Sequence, residues 1–280
     1  MRRLALVFCI SFAAQAQEPL RLAVPDPLGL ERAKQDAAAI AELLGKQLGR
    51  QVVGQAVRAA EIPALVASGK VDLGWLSAAE YIDAAKAAKV LPVARLVRNG
   101  LPFYRSVIFA RADKAPAQLA DLKGKRVALV AKGSAAGHLL ARSLLRGAGV
   151  EVPEDKLHAD HAEVCKAVLD GQADAGATFG NDKQGKTGIE GCAQSSGERV
   201  KELKVVASSH PIPNDVMVAR AGYPEKDQTA LRQALVGLRR TPEGQAALKG
   251  LFHAEGFIPC EDDDFSLLRE TLAGAPPTPR

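Results

Sequence analysis

The chain has 280 residues, a formal net charge of +5, and a side-chain set that is 47% hydrophobic but only 4% aromatic. That length allows one large or two medium domains with real cores. Acidic and basic residues are interleaved throughout, so no basic block marks a nucleic-acid or membrane surface, and the charge at most favours an anionic ligand.

Met1-Arg2-Arg3, an apolar run from Leu4 to Ala14, and Ala14-Gln15-Ala16 follow the charged, apolar, small-residue order of a secretory signal peptide. Cleavage is expected after Ala16, which makes residues 1–16 a leader and the mature protein periplasmic. The apolar run is too short for a membrane span, which needs about twenty residues. A lipoprotein would need a small residue before Cys9, where Phe8 stands. Three cysteines follow the leader: Cys165, Cys192 and Cys260. An oxidising compartment permits one disulfide, and Cys165 with Cys192 is the expected pair because both fall in the same central region.

Leu20 to Val24 reads as a strand that stops at Pro25-Asp26-Pro27. A helix is expected from Glu31 to Leu48, with Ile40, Leu43, Leu44 and Leu48 on one face and Gly49 as its stop. Val52 to Val57 is the next strand, Ala60 to Ser68 a short helix, Val71 to Leu76 a buried strand, and Ala78 to Ala88 a helix. This alternation predicts a parallel sheet covered by helices. A second round begins after Pro92 to Arg98. It comprises strands at Tyr104 to Arg111 and Arg126 to Val130, helices at Ala135 to Ala148 and Ala162 to Asp170, and a strand at Ala173 to Thr178. A polar, glycine-rich stretch from Gly180 to Gly197 separates these from strands at Leu203 to Ser208 and Val216 to Arg220. Helices at Asp227 to Arg239 and Pro242 to Lys249 close the series. Two α/β units in tandem predict two lobes, with crossings near Tyr104 to Arg111 and Ser208 to Val218. In open α/β sheets ligands sit beyond the carboxyl ends of strands, which points to Trp75 to Ala79 and to Lys132 to His138.

Several segments occur in a specific order: Asp72-Leu73-Gly74-Trp75-Leu76-Ser77, Pro102-Phe103-Tyr104-Arg105-Ser106, Asp121-Leu122-Lys123-Gly124-Lys125 and Gly133-Ser134-Ala135-Ala136-Gly137. His161, Ala167 to Gly176 and Pro211-Ile212-Pro213-Asn214-Asp215 follow. The series, from about Leu20 to Leu268, resembles the phosphate, phosphite and phosphonate substrate-binding proteins of ABC importers. The resemblance implies a type II periplasmic-binding-protein flytrap, two α/β lobes joined by a two-strand hinge. Lobe 1 would be 17–103 plus 216–280, and lobe 2 would be 104–215. The implied partners are a small anionic ligand and an inner-membrane permease. The resemblance also implies that the turn Ser134-Ala135-Ala136-Gly137 holds an oxyanion, and that Tyr104, Ser106, His161 and Asp215 contribute to the site. Ala135 and Ala136 replace hydroxyl residues of the family, so the cradle keeps backbone N–H groups and loses side-chain donors.

On physical grounds, a helix start offers unpaired N–H groups and partial positive charge to an anion. Ser134 can donate a hydroxyl to a ligand or serve only as an N-cap. His161 and His138 can donate to an oxyanion, although His138 also suits a solvated helix position. Trp75 and Ser77, at a strand's end, are candidates for the cleft. Tyr104 and Ser106 share a strand face, so both hydroxyls are expected to converge on the ligand. Asp215 and Asp26 suit an ammonium better than an oxyanion, which would admit an aminoalkyl phosphonate; capping a turn is the alternative. Asp262-Asp263-Asp264 reads as a helix cap. No Walker loop, paired-histidine zinc motif or cofactor fingerprint is present, so no metal, cofactor or nucleic-acid partner is expected, and the chain is expected to be monomeric and non-catalytic. Two rivals remain. One is a periplasmic sensor for a two-component kinase, with the free cysteine admitting trivalent arsenic as cargo. The other is a serine hydrolase with Ser134 as nucleophile, His138 or His161 as base, and Asp160 or Asp174 as orienter.

Overall fold

The computed structural model describes residues 18–25, 30–153, 157–183 and 186–274; the expected leader, Cys9 and Asp26 lie outside the described residues. In chain order the elements begin with β1 (Leu20–Pro25), α1 (Leu30–Leu48), β2 (Val52–Val57), α2 (Ile62–Ala67), β3 (Leu73–Leu76), α3 (Ala78–Ala88) and β4 (Leu91–Val97). Next come β5 (Phe103–Arg111), β6 (Val127–Val130), a π turn over Ala135–Leu139 that runs into α4 (Leu140–Gly147), β7 (Leu157–His158), α5 (His161–Leu169) and β8 (Ala175–Gly180). A ribbon of β9 (Asp182–Lys183) and β10 (Lys186–Thr187), then α6 (Glu190–Ser196), occupies the polar stretch. The chain ends with β11 (Leu203–Ser208), β12 (Ile212–Pro213), β13 (Val216–Ala219), α7 (Glu225–Gly237), α8 (Pro242–Phe252), β14 (Gly256–Pro259) and α9 (Ser266–Leu272).

Two sheets divide these strands into two lobes. The first runs β14-β4-β13-β3-β1-β2; the second runs β11-β5-β8-β6-β7, with β12 beside β5. Neither is the parallel sheet expected from the alternation. β1 is parallel to β2 and β3, but β13 is antiparallel to both β3 and β4. The reason is topological: β13 returns from the second lobe and enters at the end where β3 and β4 leave. The same logic makes β5 antiparallel to β8 and β11. The expected crossing at Tyr104 to Arg111 is corrected too, because that strand lies wholly in the second sheet and the chain crosses just before it, through residues 98–102.

The lobes have separate cores and one shared seam. Helix α1 puts Ala37, Ile40 and Leu44 against Leu22, Leu73, Leu235 and Phe257 in the first lobe, a face with helical spacing as the sequence suggests. In the second lobe Val107, Phe109, Val164 and Val168 fill one side of the sheet, and Ile108, Leu129, Leu145 and Ala177 fill the other. The seam brings Ala136 and Leu140 of the second lobe together with Tyr81, Phe265 and Leu268 of the first-lobe side. His210 Nε2 lies 2.8 Å from Thr271 Oγ1 and ties α9 to the second crossing. The acidic run caps this segment: Glu261 and Asp264 form a capping box, and Tyr81 donates to Asp262 at 2.5 Å.

Cys165 of α5 and Cys192 of α6 are joined in a disulfide, both buried. A cross-link spanning 27 residues restricts the unfolded chain by about 3.5 kcal/mol in the loop-entropy view. Cys260 is buried in the seam, and burial pushes its thiol up to about 12.

Asp72, at the end of the first sheet away from the cleft, is the main buried charge of that lobe. Its carboxylate accepts from the Arg21 backbone, from the Arg21 guanidinium and from Arg220 Nε at 2.9 Å, joining β1, β3 and β13. Burial alone would raise its pKa, but these hydrogen bonds outweigh burial and hold it at about 2. A carboxyl held below its unfolded value near 3.9 stabilises the fold above that pH, and the contribution is lost as pH falls from about 4 through about 2. Asp72→Asn should lower stability by about 1–2 kcal/mol at pH 7 and flatten the acid limb between pH 4 and 2. Urea melts across pH check this; an unchanged acid limb would assign the acid sensitivity elsewhere.

Candidate functional site

A cleft of about 450 Å³ opens between the lobes, where the carboxyl ends of β4, β6 and β8 meet the two crossings. Its second-lobe wall carries Tyr104, Ser134, Ala135, Ala136, His161 and Phe179. The crossings contribute Arg98, Asn99, Asn214 and Asp215, and the first lobe contributes His253. Asn181 completes the lining.

The second-lobe wall is built on the helix start after β6. Ser134 is the N-cap: its Oγ accepts from the Gly137 N–H at 3.1 Å, while its carbonyl accepts from His138 and Leu139 at 3.1 and 2.9 Å. The first amides of a helix have no intrahelical acceptor, so those of Ala135 and Ala136 remain for a ligand. Ser134 Oγ is an acceptor inward and keeps its own proton for the cleft, so the capping and donor roles coexist. The turn packs tightly. A Cβ on Gly137 would lie 2.3 Å from Val130 Cγ2 and 3.0 Å from His161 Cε1.

His161 caps the same wall. Its Nδ1 is 2.9 Å from Thr178 Oγ1, and its ring stands edge-on to Phe179 with centroids 5.0 Å apart. Burial pushes the imidazole below its usual pKa, with Asp160 opposing, so the ring is neutral near pH 7. Tyr104 keeps its phenolic proton, because burial and the nearby Asp215 both push its ionisation upward. Arg98 Nη2 and Asp215 Oδ2 form an ion pair at 2.7 Å.

The remaining candidates lie elsewhere. Trp75 is buried in the first-lobe core, edge-on to Phe257 at 5.2 Å, because the end of β3 is covered on that face. Ser77 is the N-cap of α3 in a capping box with Glu80. Ser106 does share a face with Tyr104, but its buried hydroxyl donates to the Ala136 carbonyl at 2.6 Å and holds the turn from beneath. His138 is buried behind the turn instead of solvated. Gly137 gives its N–H to Ser134. Of the groups considered for a hydrolase, Asp160 accepts from the Glu163 amide, Asp174 pairs with Arg126 at 2.8 Å, and His161 Nδ1 is bonded to Thr178. Cys260, the free thiol considered for a thiol-bound cargo, is buried in the seam and is not among the described residues lining the cleft. Among the described residues no group of three His, Cys, Asp or Glu is placed to hold a metal ion.

Sequence reasoning missed Arg98, Asn99, Phe179, Asn181, Asn214 and His253. The Asn99-Gly100 pair carried a turn signal, and both residues have positive φ, 52° and 75°. His253 sits in the left-handed conformation, φ 48°, at the end of α8. Nothing in its sequence context pointed to the cleft.

Two α/β lobes with a cleft between them form the fold of the periplasmic binding proteins. Residues 30–265 match the family described as ABC transporter, phosphonate, periplasmic substrate-binding protein, and the chain belongs to that family. It is 28% identical over 192 residues to the phosphonates-binding periplasmic protein of Escherichia coli (strain K12), covering 65% of this chain and 54% of that protein. The chain thus spans about half the length of this curated relative. Among solved structures, XAC2383 from Xanthomonas citri superposes with a TM-score of 0.69 at 20% identity, covering 91% of this chain and 96% of that one. PhnD1 from Prochlorococcus marinus, solved with methylphosphonate, gives 0.65 at 19% identity, over 90% of this chain and 96% of its own. These likenesses describe the fold.

Gly137→Ala should destabilise the fold by about 1–3 kcal/mol, since Val130 and His161 must give way to the new methyl. Ser106→Ala should cost about 1–3 kcal/mol through the lost buried donor. Denaturant midpoints test both, and wild-type midpoints would show that the turn is not braced from these two sides.

Proposed function

We propose that this chain captures a phosphonate-like oxyanion in the interlobe cleft and delivers it to the permease of an ABC importer, without chemistry. The observation that carries the reading is the wall formed by the free amides of Ala135 and Ala136, the Ser134 hydroxyl, His161 and Tyr104. Backbone dipoles and neutral donors on that wall receive negative charge, with Arg98 the cationic side chain among the described lining residues. Export through a cleaved leader at 1–16 and action as a monomer belong to the same reading, as do lobes of 17–103 plus 216–280 and of 104–215. Membership of the family supports the periplasmic setting.

Ligand binding should raise the melting temperature. A ligand at a hundred times its Kd adds about 2.7 kcal/mol, read in a panel of methylphosphonate, phosphite, phosphate and sulfate. No shift with any of them would sink the oxyanion reading.

Binding should also take up a proton. The unliganded His161 is depressed by burial, whereas an adjacent anion favours its charged form. Affinity for methylphosphonate should therefore rise as pH falls from 7 toward 5.5, measured relative to His161→Gln so that the ligand's own titration cancels. Parallel profiles for the two proteins would remove His161 from the ligand's surroundings.

A further inference from the structure

Resting on the phosphonate reading above, we infer that Asn99 and His253 form the first-lobe contact of the cleft, two side chains on one braced unit that meet the bound oxyanion from the side opposite Ser134 as the lobes close. Both residues line the cleft and both are exposed. Among the described residues no hydrogen bond or ion pair ties down either side chain. Their backbones set them apart as well. Three residues other than glycine have positive φ among the described residues: Lys89 at 51°, Asn99 at 52° and His253 at 48°. Two of the three line the cleft. A side chain in that region crowds its own backbone, so glycine usually fills turns and helix ends of this kind, and Asn and His are among the side chains that bear it best. Residues held there against the strain gather at binding sites, where the side chain has a use.

The two positions form one mechanical unit. Asn99 and Gly100 make a two-residue turn closed by reciprocal backbone bonds between residues 98 and 101, at 2.9 and 3.0 Å. Glu255, two residues beyond His253, reaches across to that turn: its Oε2 accepts from the Gly100 N–H at 2.9 Å, and its own N–H donates to the Val97 carbonyl at 2.9 Å. On the helix side the His253 N–H donates to the Lys249 carbonyl and the Ala254 N–H to the Leu248 carbonyl, both at 3.2 Å. The end of α8, the start of β14 and the turn after β4 are therefore carried with the first sheet, in which β14 pairs with β4. The Ser134 turn follows β6 and belongs to the second. A ligand drives closure only through contacts that differ between the open and closed states. Side chains carried by the first lobe and facing a ligand seated on the second-lobe wall meet that condition, and the Asn99 amide and the His253 imidazole both offer N–H donors to an oxyanion.

Glycine substitution is the test, because a residue already in the left-handed region can lose its side chain with no change of backbone. Asn99→Gly and His253→Gly should each weaken methylphosphonate binding by about threefold to tenfold in calorimetric titration. Lys89→Gly makes the same backbone change at the end of α3, outside the described cleft lining, and should bind as wild type does. Small-angle X-ray scattering reads closure: saturating methylphosphonate should lower the radius of gyration of wild type and of Lys89→Gly, and leave that of the Asn99→Gly/His253→Gly double variant unchanged although it still binds through the second-lobe wall. If wild type binds without compaction, if the double variant compacts like wild type, or if Lys89→Gly weakens binding as much as the other two, the inference is wrong and the phosphonate reading stands. If no phosphonate binds wild type, both fall together.

Discussion

The molecule depends on how its two crossings are tied. Asn214 is buried, its side-chain amide donates to the carbonyls of Leu96 and Leu101 at 3.0 and 2.9 Å, and its N–H donates to the Pro102 carbonyl at 3.0 Å. One residue of the returning strand thereby holds both ends of the outgoing segment. An amide with buried donors must find acceptors or lose their desolvation cost, so this geometry is set against sliding of one crossing past the other. The lobes are then positioned by hydrogen bonds from Asn214, itself a residue of the cleft lining, to the backbone carbonyls of residues 96, 101 and 102. Specificity can vary around a hinge of this kind while the fold is kept.

The second-lobe wall of the cleft depends on that frame in turn. β5 leaves the crossing with Tyr104 at the cleft and places Ser106 two residues deeper, where its hydroxyl reaches the Ala136 carbonyl. The Ser106 amide is itself bonded to Ser209 Oγ at 3.0 Å, on the returning segment. A chain of contacts therefore runs from the second crossing through β5 to the helix start. Gly137 closes the arrangement from the other side by letting the turn settle on Val130 and His161. The wider π turn over Ala135–Leu139 follows from Ser134, whose carbonyl takes both the His138 and Leu139 amides while its hydroxyl oxygen takes that of Gly137.

Much of this was legible in the sequence because it is local. The helix face of Ile40 and Leu44, the strand from Val52 to Val57 and the Gly133-Ser134 turn each carry their own periodicity or turn chemistry. What was not legible is non-local. The antiparallel β13 is dictated by a return from another lobe, which no window around Val216 contains. Trp75 looked like a cleft residue because it ends a strand, and its burial comes from Phe257, nearly two hundred residues away. The polar stretch near Glu190 hides α6 because its apolar content is low, and the disulfide at Cys192 anchors it instead. β14 escaped notice for a similar reason: four residues give too short an alternation.

Among the described lining residues, His253 alone comes from the first lobe proper, since Arg98, Asn99, Asn214 and Asp215 belong to the crossings and the others to the second lobe. This constrains closure. A ligand shifts an equilibrium between open and closed lobes only through contacts that differ between the two states, and contacts to the second-lobe wall alone are the same in both. An oxyanion held only by Ser134, Ala135, Ala136 and His161 would bind without closing the cleft. Among the described lining residues, contacts that differ between the two states must therefore involve His253 or the crossings. His253, in the left-handed conformation after α8, is held there by its own N–H bonded to the Lys249 carbonyl at 3.2 Å.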